Sequence, residues 1–332
     1  MPIDQNQHLI KKSPQETSPL TSSNPPAPNA WKGWLTLFRP PNLFTVPGDP
    51  LVGALLAALA LHIIPSWNAV YAVMGAALAF YASGLLANDF FDRDCDARER
   101  PDRPIPSGAV SPLAAKWAAI FLTLAGVLFT LPAGNTASAI GILVALASWL
   151  YNVFAKRIPW LAPFSMGICR GLSLMLGAAI LGLPGVTSPA VLMAALFLTL
   201  YIALITIIAR NEADTDAPPI PTWCRWGIPT ILTAWLAIFL LNPGSPLVFQ
   251  WKSMSILLGV MSILWALVWT AQMRRHASPR VVQASVGGLI RGLLFTQAAL
   301  CASCGGVGEG FALLLLFLFP VSGWISRWFY GS

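Results

Sequence analysis

An all-α, polytopic transmembrane helical bundle is the fold class that this sequence predicts. Three observations carry that expectation. Hydrophobic residues make up 56% of the 332-residue chain and charged residues only 10%, whereas soluble domains carry roughly 25% charged residues. Apolar runs of about 18–22 residues recur along nearly the whole length, each long enough to cross a bilayer as a helix. Strand-type alternation of apolar and polar residues is absent, which argues against a β-barrel.

Taken in order, residues 1–30 are polar and rich in Pro, Ser, Thr and Asn. They read as a disordered tail without the apolar core of a signal peptide, ahead of a membrane domain over 31–332. Trp31, Trp34 and Phe38, with Lys32 and Arg39, have the composition of an interfacial helix. Ten apolar windows follow, near 43–62, 69–87, 114–132, 136–154, 162–183, 189–208, 226–242, 254–272, 283–303 and 309–328. The ninth holds Gly287, Gly288, Arg291 and Gln297 and is the weakest candidate for a simple lipid-facing span. A mid-span arginine must face protein, water or a polar substrate group.

The charges sort by connection. The tail and the segments near 88–113, 155–161, 209–225 and 273–282 hold nearly all Lys and Arg, and the alternate connections hold only Lys252. By the positive-inside rule the N-terminus and the basic connections are cytoplasmic. The expected location is an integral, multi-pass position in an inner (plasma) membrane of bacterial type.

The chemistry concentrates in Asn88-Asp89-Phe90-Phe91-Asp92-Arg93-Asp94-Cys95-Asp96 and the basic run after it. Asp89, Asp92 and Asp96 are spaced three and then four residues apart. If the second span continues through them, they share one stripe with Asn88 beside them. Stacked like charges repel, so stability alone does not select the pattern. A hard divalent cation relieves the repulsion, and oxygen-only ligands suit Mg²⁺, which takes one or two carboxylates plus substrate phosphate. Arg100 and Arg103 arrive within about two turns, as a phosphate group requires. A merely solvated loop is the plain alternative. A calcium loop fails, because Ala97 replaces the turn glycine and Arg103 stands where the bidentate Glu belongs.

Other candidates lie at the same membrane face. Arg210, Glu212 and Asp216 follow the sixth window, with Glu212 and Asp216 four apart as a second cation site. Tyr151, Lys156 and Arg157 follow the fourth. Arg170 lies inside the fifth, where an arginine is expensive and points to function. Asp49 is wedged in Pro47-Gly48-Asp49-Pro50, whose prolines break the helix and free backbone groups to line a cavity. The matching substrate has an anionic head and a long apolar tail, as a polyprenyl diphosphate does, with a lipophilic and possibly aromatic acceptor. Nothing points to nucleic acid or to a particular protein partner. Cys301 and Cys304 form a C-x-x-C inside an apolar segment and read as packing residues.

The stripe together with Arg100-x-x-Arg103-Pro104 and Pro106-Ser107-Gly108 resembles the first signature of the UbiA superfamily of intramembrane prenyltransferases. Tyr151, Lys156 and Arg157 resemble its tyrosine-lysine loop, with one residue more between them. Arg39-Pro40-x-Asn42 resembles its approach to the first helix. The segment Met166–Leu172 and the Arg210-x-Glu212 loop look like the EboC-like branch. The resemblance implies about nine helices around a central cavity capped by cytoplasmic acidic loops. It also implies Mg²⁺-dependent prenyl transfer, with Asp89, Asp92 and Asp96 at its centre. The second motif departs from the usual pair of aspartates, having Glu212 first. That departure is the one feature that favours the alternative, a non-catalytic prenyl-lipid binding or carrier protein of the same fold.

The orientation makes an expectation about thiols. In intact cells Cys95 and Cys224 should resist membrane-impermeant maleimide and react only after permeabilisation, and labelling of both from outside contradicts the orientation.

Overall fold

A computed structural model describes residues 29–210, 220–241, 249–273 and 277–329. The polar tail therefore lies outside the described residues, apart from its last two positions. So do Glu212 and Asp216. All regular structure among the described residues is helical: α1 (Ala30–Phe38), α2 (Pro40–Leu43), α3 (Gly48–Leu61), α4 (Trp67–Glu99), α5 (Pro112–Thr130), α6 (Asn135–Val153), α7 (Leu161–Ala178), α8 (Gly182–Val186), α9 (Pro189–Ala209), α10 (Thr222–Leu241), α11 (Phe249–Gln272), α12 (Pro279–Ser303) and α13 (Val307–Ile325). Over its described residues each of the ten apolar windows falls on helix, the first with a turn at 44–47. Among the described residues nine segments are long and apolar enough to span a membrane, and α10 covers the seventh window.

The boundaries follow local chemistry. α5, α9 and α12 each begin with a serine followed by proline at the first helical position. There the missing N–H costs nothing and the fixed φ is already helical. α3 ends at His62 in the left-handed region, φ 54°.

α3 is the axis of the bundle. It is apolar on all sides and every residue from Gly48 to Ala58 is buried, as expected of a helix surrounded by protein. α4, α7, α9 and α12 pack around it. The ninth window is thus an interior helix: the apolar stretch of α12 is 78% buried, against 22% for α5 and for α13. Arg291 of α12 donates from Nη1 to Ser326 Oγ at 3.1 Å, just past the end of α13, where a cation meets the negative end of that helix dipole.

The tightest joint is between α3 and α7. A Cβ on Gly53 would lie 1.9 Å from the Leu174 carbonyl oxygen, and one on Gly177 would lie 1.7 Å from that of Pro50. Small residues let the two backbones meet, the usual device where lipid supplies no hydrophobic drive between helices.

The basic connections gather at one end. Arg39, before α2, reaches Asp89 near the end of α4. Arg210, after α9, donates to the Pro159 carbonyl before α7. Arg225 of α10 donates to the Met273 carbonyl after α11. Ser322 near the end of α13 donates to the Pro41 carbonyl at 2.9 Å. This common end is the arrangement that the alternation of charge required. Cys95 is exposed there, whereas Cys224 is buried, so Cys95 alone serves as a reporter of sidedness.

The joint yields a prediction. Gly177→Ala should lower stability by about 2–4 kcal/mol through overpacking against backbone. Gly287→Ala, where an added Cβ meets nothing within 4 Å, should be neutral. Thermal unfolding of the detergent-purified variants separates the two outcomes.

Candidate active site

α4 carries the acidic stripe because it does not stop at the apolar boundary. It runs unbroken for 33 residues, so Asn88, Asp89, Asp92 and Asp96 stand on one helix. The side chains of Asp89 and Asp96 are 8% and 10% exposed, and that of Asp92 is 34% exposed. Asp94 lies off the stripe beside Arg93, with its side chain 81% exposed.

Three other parts of the chain bring cations to this row. Arg39 turns the corner between α1 and α2 in a left-handed conformation, φ 46°. Its Nη2 lies 3.5 Å from Asp89 Oδ1. Arg103, in the turn after α4, bridges Asp96 Oδ2 at 2.9 Å and Asp89 Oδ1 at 3.4 Å through Nη1. Lys156, in the 3₁₀ turn after α6, sits 2.6 Å from Asp92 Oδ1 and donates to Asn88 Oδ1 and O, both at 3.3 Å. The row is thus held by charge from segments far apart in sequence.

Asn88 and Arg39 join it to a cavity of about 300 Å³, which the three aspartates themselves do not line. Arg39, Asn42, Asn88, Tyr151 and Asn152 form its polar rim, and α4, α9 and α12 supply apolar walls that include Phe80, Ile202 and Leu293. Arg170 lines its α7 side. There the predicted break in the first span appears as the turn 44–47 between α2 and α3. The Thr45 carbonyl that the break leaves free accepts from Arg170 Nη2 at 3.2 Å and from Gln297 Nε2 at 2.7 Å. Gln297 Nε2 also donates to Asp49 Oδ1 at 2.7 Å. Arg170 Nε lies 2.7 Å from Asp49 Oδ2, a close ion pair whose angle falls outside hydrogen-bond geometry. Gly48 makes room for this group, since a Cβ there would lie 2.3 Å from Gln297 Oε1.

The structure therefore brings together Asn42, Asn88, Asp89, Asp92, Asp96, Arg103, Tyr151, Lys156 and Arg170. Asp49 is buried behind Arg170. Arg100 caps the end of α4 through its backbone. Arg157 is exposed, and Arg210 is directed to Pro159. Sequence reasoning did not place Arg39 or Gln297 in the site. Arg39 read as an interfacial charge, although a single arginine before Pro40-Pro41 on the acidic face was a signal. Gln297 was visible only as a polar residue within an apolar window.

The donor set fits a hard divalent cation, since Asn88 and the three aspartates offer only oxygen. Among the described residues no three His, Cys, Asp or Glu side chains already converge on one point. Mg²⁺ in general binds one or two carboxylates and completes its shell with water and substrate phosphate.

Comparison with known proteins bears on this site. The chain matches the UbiA prenyltransferase family over residues 50–286. It is 29% identical over 185 residues to the digeranylgeranylglyceryl phosphate synthase of Methanothrix thermoacetophila, covering 56% of this chain and 65% of that one. It is 35% identical over 159 residues to the enzyme of the same name from Methanospirillum hungatei JF-1, covering 47% and 54%. The chain thus matches less than two thirds of the length of those relatives. Among solved structures, a UbiA homolog from Aeropyrum pernix K1 has the same fold at a TM-score of 0.59 and 16% identity, covering 83% of this chain and 98% of that one. A UbiA homolog from Archaeoglobus fulgidus, bound to DMAPP and Mg²⁺, does so at 0.54 and 14%, covering 87% and 98%.

The buried pair supplies a test. Arg170→Met should cost about 3–5 kcal/mol, because Asp49 keeps the Gln297 amide but loses its counter-charge in the interior. Adding Asp49→Asn should recover most of the loss, and thermal unfolding of the single and double variants measures both steps.

Proposed function

The chain belongs to the UbiA prenyltransferase family, and from that premise we propose that it transfers an isoprenyl group from an isoprenyl diphosphate to a lipophilic acceptor, glyceryl or aromatic, within the membrane. The observation that carries this reading is the carboxylate row, met by three cations, next to an apolar cavity that Asn88 and Arg39 line. A molecule that satisfies both parts has an anionic head and an apolar tail. The relatives are named for synthesis of a prenylated glyceryl phosphate, which supports a lipid acceptor.

In this reading Asn88, Asp89, Asp92 and Asp96 hold Mg²⁺, which when bound stabilises negative charge on the departing diphosphate. Arg39, Arg103 and Lys156 are within reach of the same place and bind the remaining phosphate oxygens through charge-assisted hydrogen bonds. The tail lies between α4, α9 and α12, where the apolar walls exclude water from the ionising carbon. Phe80 and Tyr81 both stand on the cavity wall, where an aromatic ring can shelter positive charge on the allyl group. Glu212 and Asp216 remain candidates for a second cation site, and Arg100, Arg157 and Arg210 for outer contacts to the headgroup. The site is on the cytoplasmic side.

Asp92 is the most accessible carboxylate of the row and the best placed to share a cation with either neighbour. Asp92→Asn should lower turnover of geranyl diphosphate about a thousandfold, the effect of losing several kcal/mol of metal-assisted stabilisation. Asp94→Asn should cost little, and the amount of folded protein in the membrane should be the same for both. Equal turnover by the two variants would contradict the reading and favour a non-catalytic lipid-binding role.

A further inference from the structure

The cavity has a measurable depth, and depth limits the tail. Along α4 its lining runs from Asn88 to Ala77, eleven residues or about 17 Å of helix. On α9 it runs from Ala209 to Ile202, and on α12 from Val286 to Leu293, seven residues each or about 10 Å. Its volume of about 300 Å³ stands at the bottom of the range of about 300–1,000 Å³ common for ligand cavities.

What closes it is packed core. One turn below Ala77 on the same face of α4 is Val73, fully buried in one cluster with Val144 and Leu176. On the other side α3 fills the axis of the bundle, buried from Gly48 to Ala58. An isoprene unit advances an extended chain by four carbon–carbon bonds, about 5 Å at ordinary bond lengths. With the diphosphate at the row beside Asn88, walls of about 10–17 Å take two or three units and a fourth meets the floor.

We propose that this cavity selects an isoprenyl diphosphate of two or three isoprene units, with Ala77 and Leu176 as the residues that set the limit. The proposal rests on the prenyl-transfer reading above and adds the class of donor. It sets this chain apart from relatives whose name contains a geranylgeranyl, four-unit, group.

The test is a binding series on the full-length protein in detergent with Mg²⁺, using the unreactive thiolodiphosphates of dimethylallyl, geranyl, farnesyl and geranylgeranyl. Burial of each unit should raise affinity at least tenfold up to geranyl or farnesyl, and the geranylgeranyl analogue should gain nothing further. Ala77→Phe should move the plateau down by one unit and leave dimethylallyl binding unchanged, which also reports that the variant is folded. Leu176→Ala should move the plateau up. A tenfold gain from farnesyl to geranylgeranyl in the unsubstituted protein, or a series that Ala77→Phe leaves unaltered, overturns the length limit while the prenyl-transfer reading stands. Failure of every analogue, dimethylallyl included, to bind overturns both.

Discussion

A row of like charges at the edge of a bilayer cannot stand without counter-charge, and the architecture of this end of the molecule follows from that constraint. Asp89, Asp92 and Asp96 share one face of α4, and two of them are nearly buried. The answering cations are local in space but distant in sequence. Arg39 comes from the corner before the first span, Arg103 from the turn after α4, and Lys156 from the turn after α6. The pairs are short or moderate, 2.6–3.5 Å, and largely buried on the carboxylate side, so desolvation offsets much of the attraction in each. Their joint effect is to draw three connections over the acidic end of α4. In the proposed function the same charges serve a second purpose, because a cation that neutralises a carboxylate can also bind phosphate.

The second device is the broken first span. The helix breaks over 44–47, just before Asp49, and the carbonyl freed at Thr45 is taken up by Arg170 of α7 and Gln297 of α12. One interrupted backbone thus ties together three helices from different thirds of the chain. It also sets where α3 begins, and α3 fills the axis below. The cavity occupies what is left of that axis on the acidic side.

Much of this was legible because it follows from short-range pattern. Each apolar window became a helix, the alternation of charge placed the basic connections at one end, and the acidic stripe formed because α4 has no breaker before Glu99. The ninth window, set apart by its glycines and polar residues, is an interior helix. What did not show depends on distances across the fold. Arg39 stands fifty positions before its carboxylate, and its local mark, the prolines after it, does not say which acid it meets. Gln297 completes a group whose other members lie far away in sequence, at 45, 49 and 170. Arg291 was rightly expected to avoid lipid, yet its partner is Ser326 beyond the next helix and not the cavity. Cys224 read as a loop thiol, but the start of α10 is packed against its neighbours. The depth of the cavity was invisible for the same reason, since it is set by where α3 stops filling the axis.

In the proposed function the carboxylates of α4, together with a prenyl diphosphate, form a divalent-cation site. Mn²⁺ can stand in for Mg²⁺ and reports its own binding by electron paramagnetic resonance. The direct measurement is a titration of Mn²⁺ into the purified protein in the presence of geranyl thiolodiphosphate, repeated with the Asp89→Asn, Asp92→Asn double variant. A bound Mn²⁺ signal should appear with the analogue present and be lost in the double variant. Bound Mn²⁺ of equal affinity in both proteins would contradict that function.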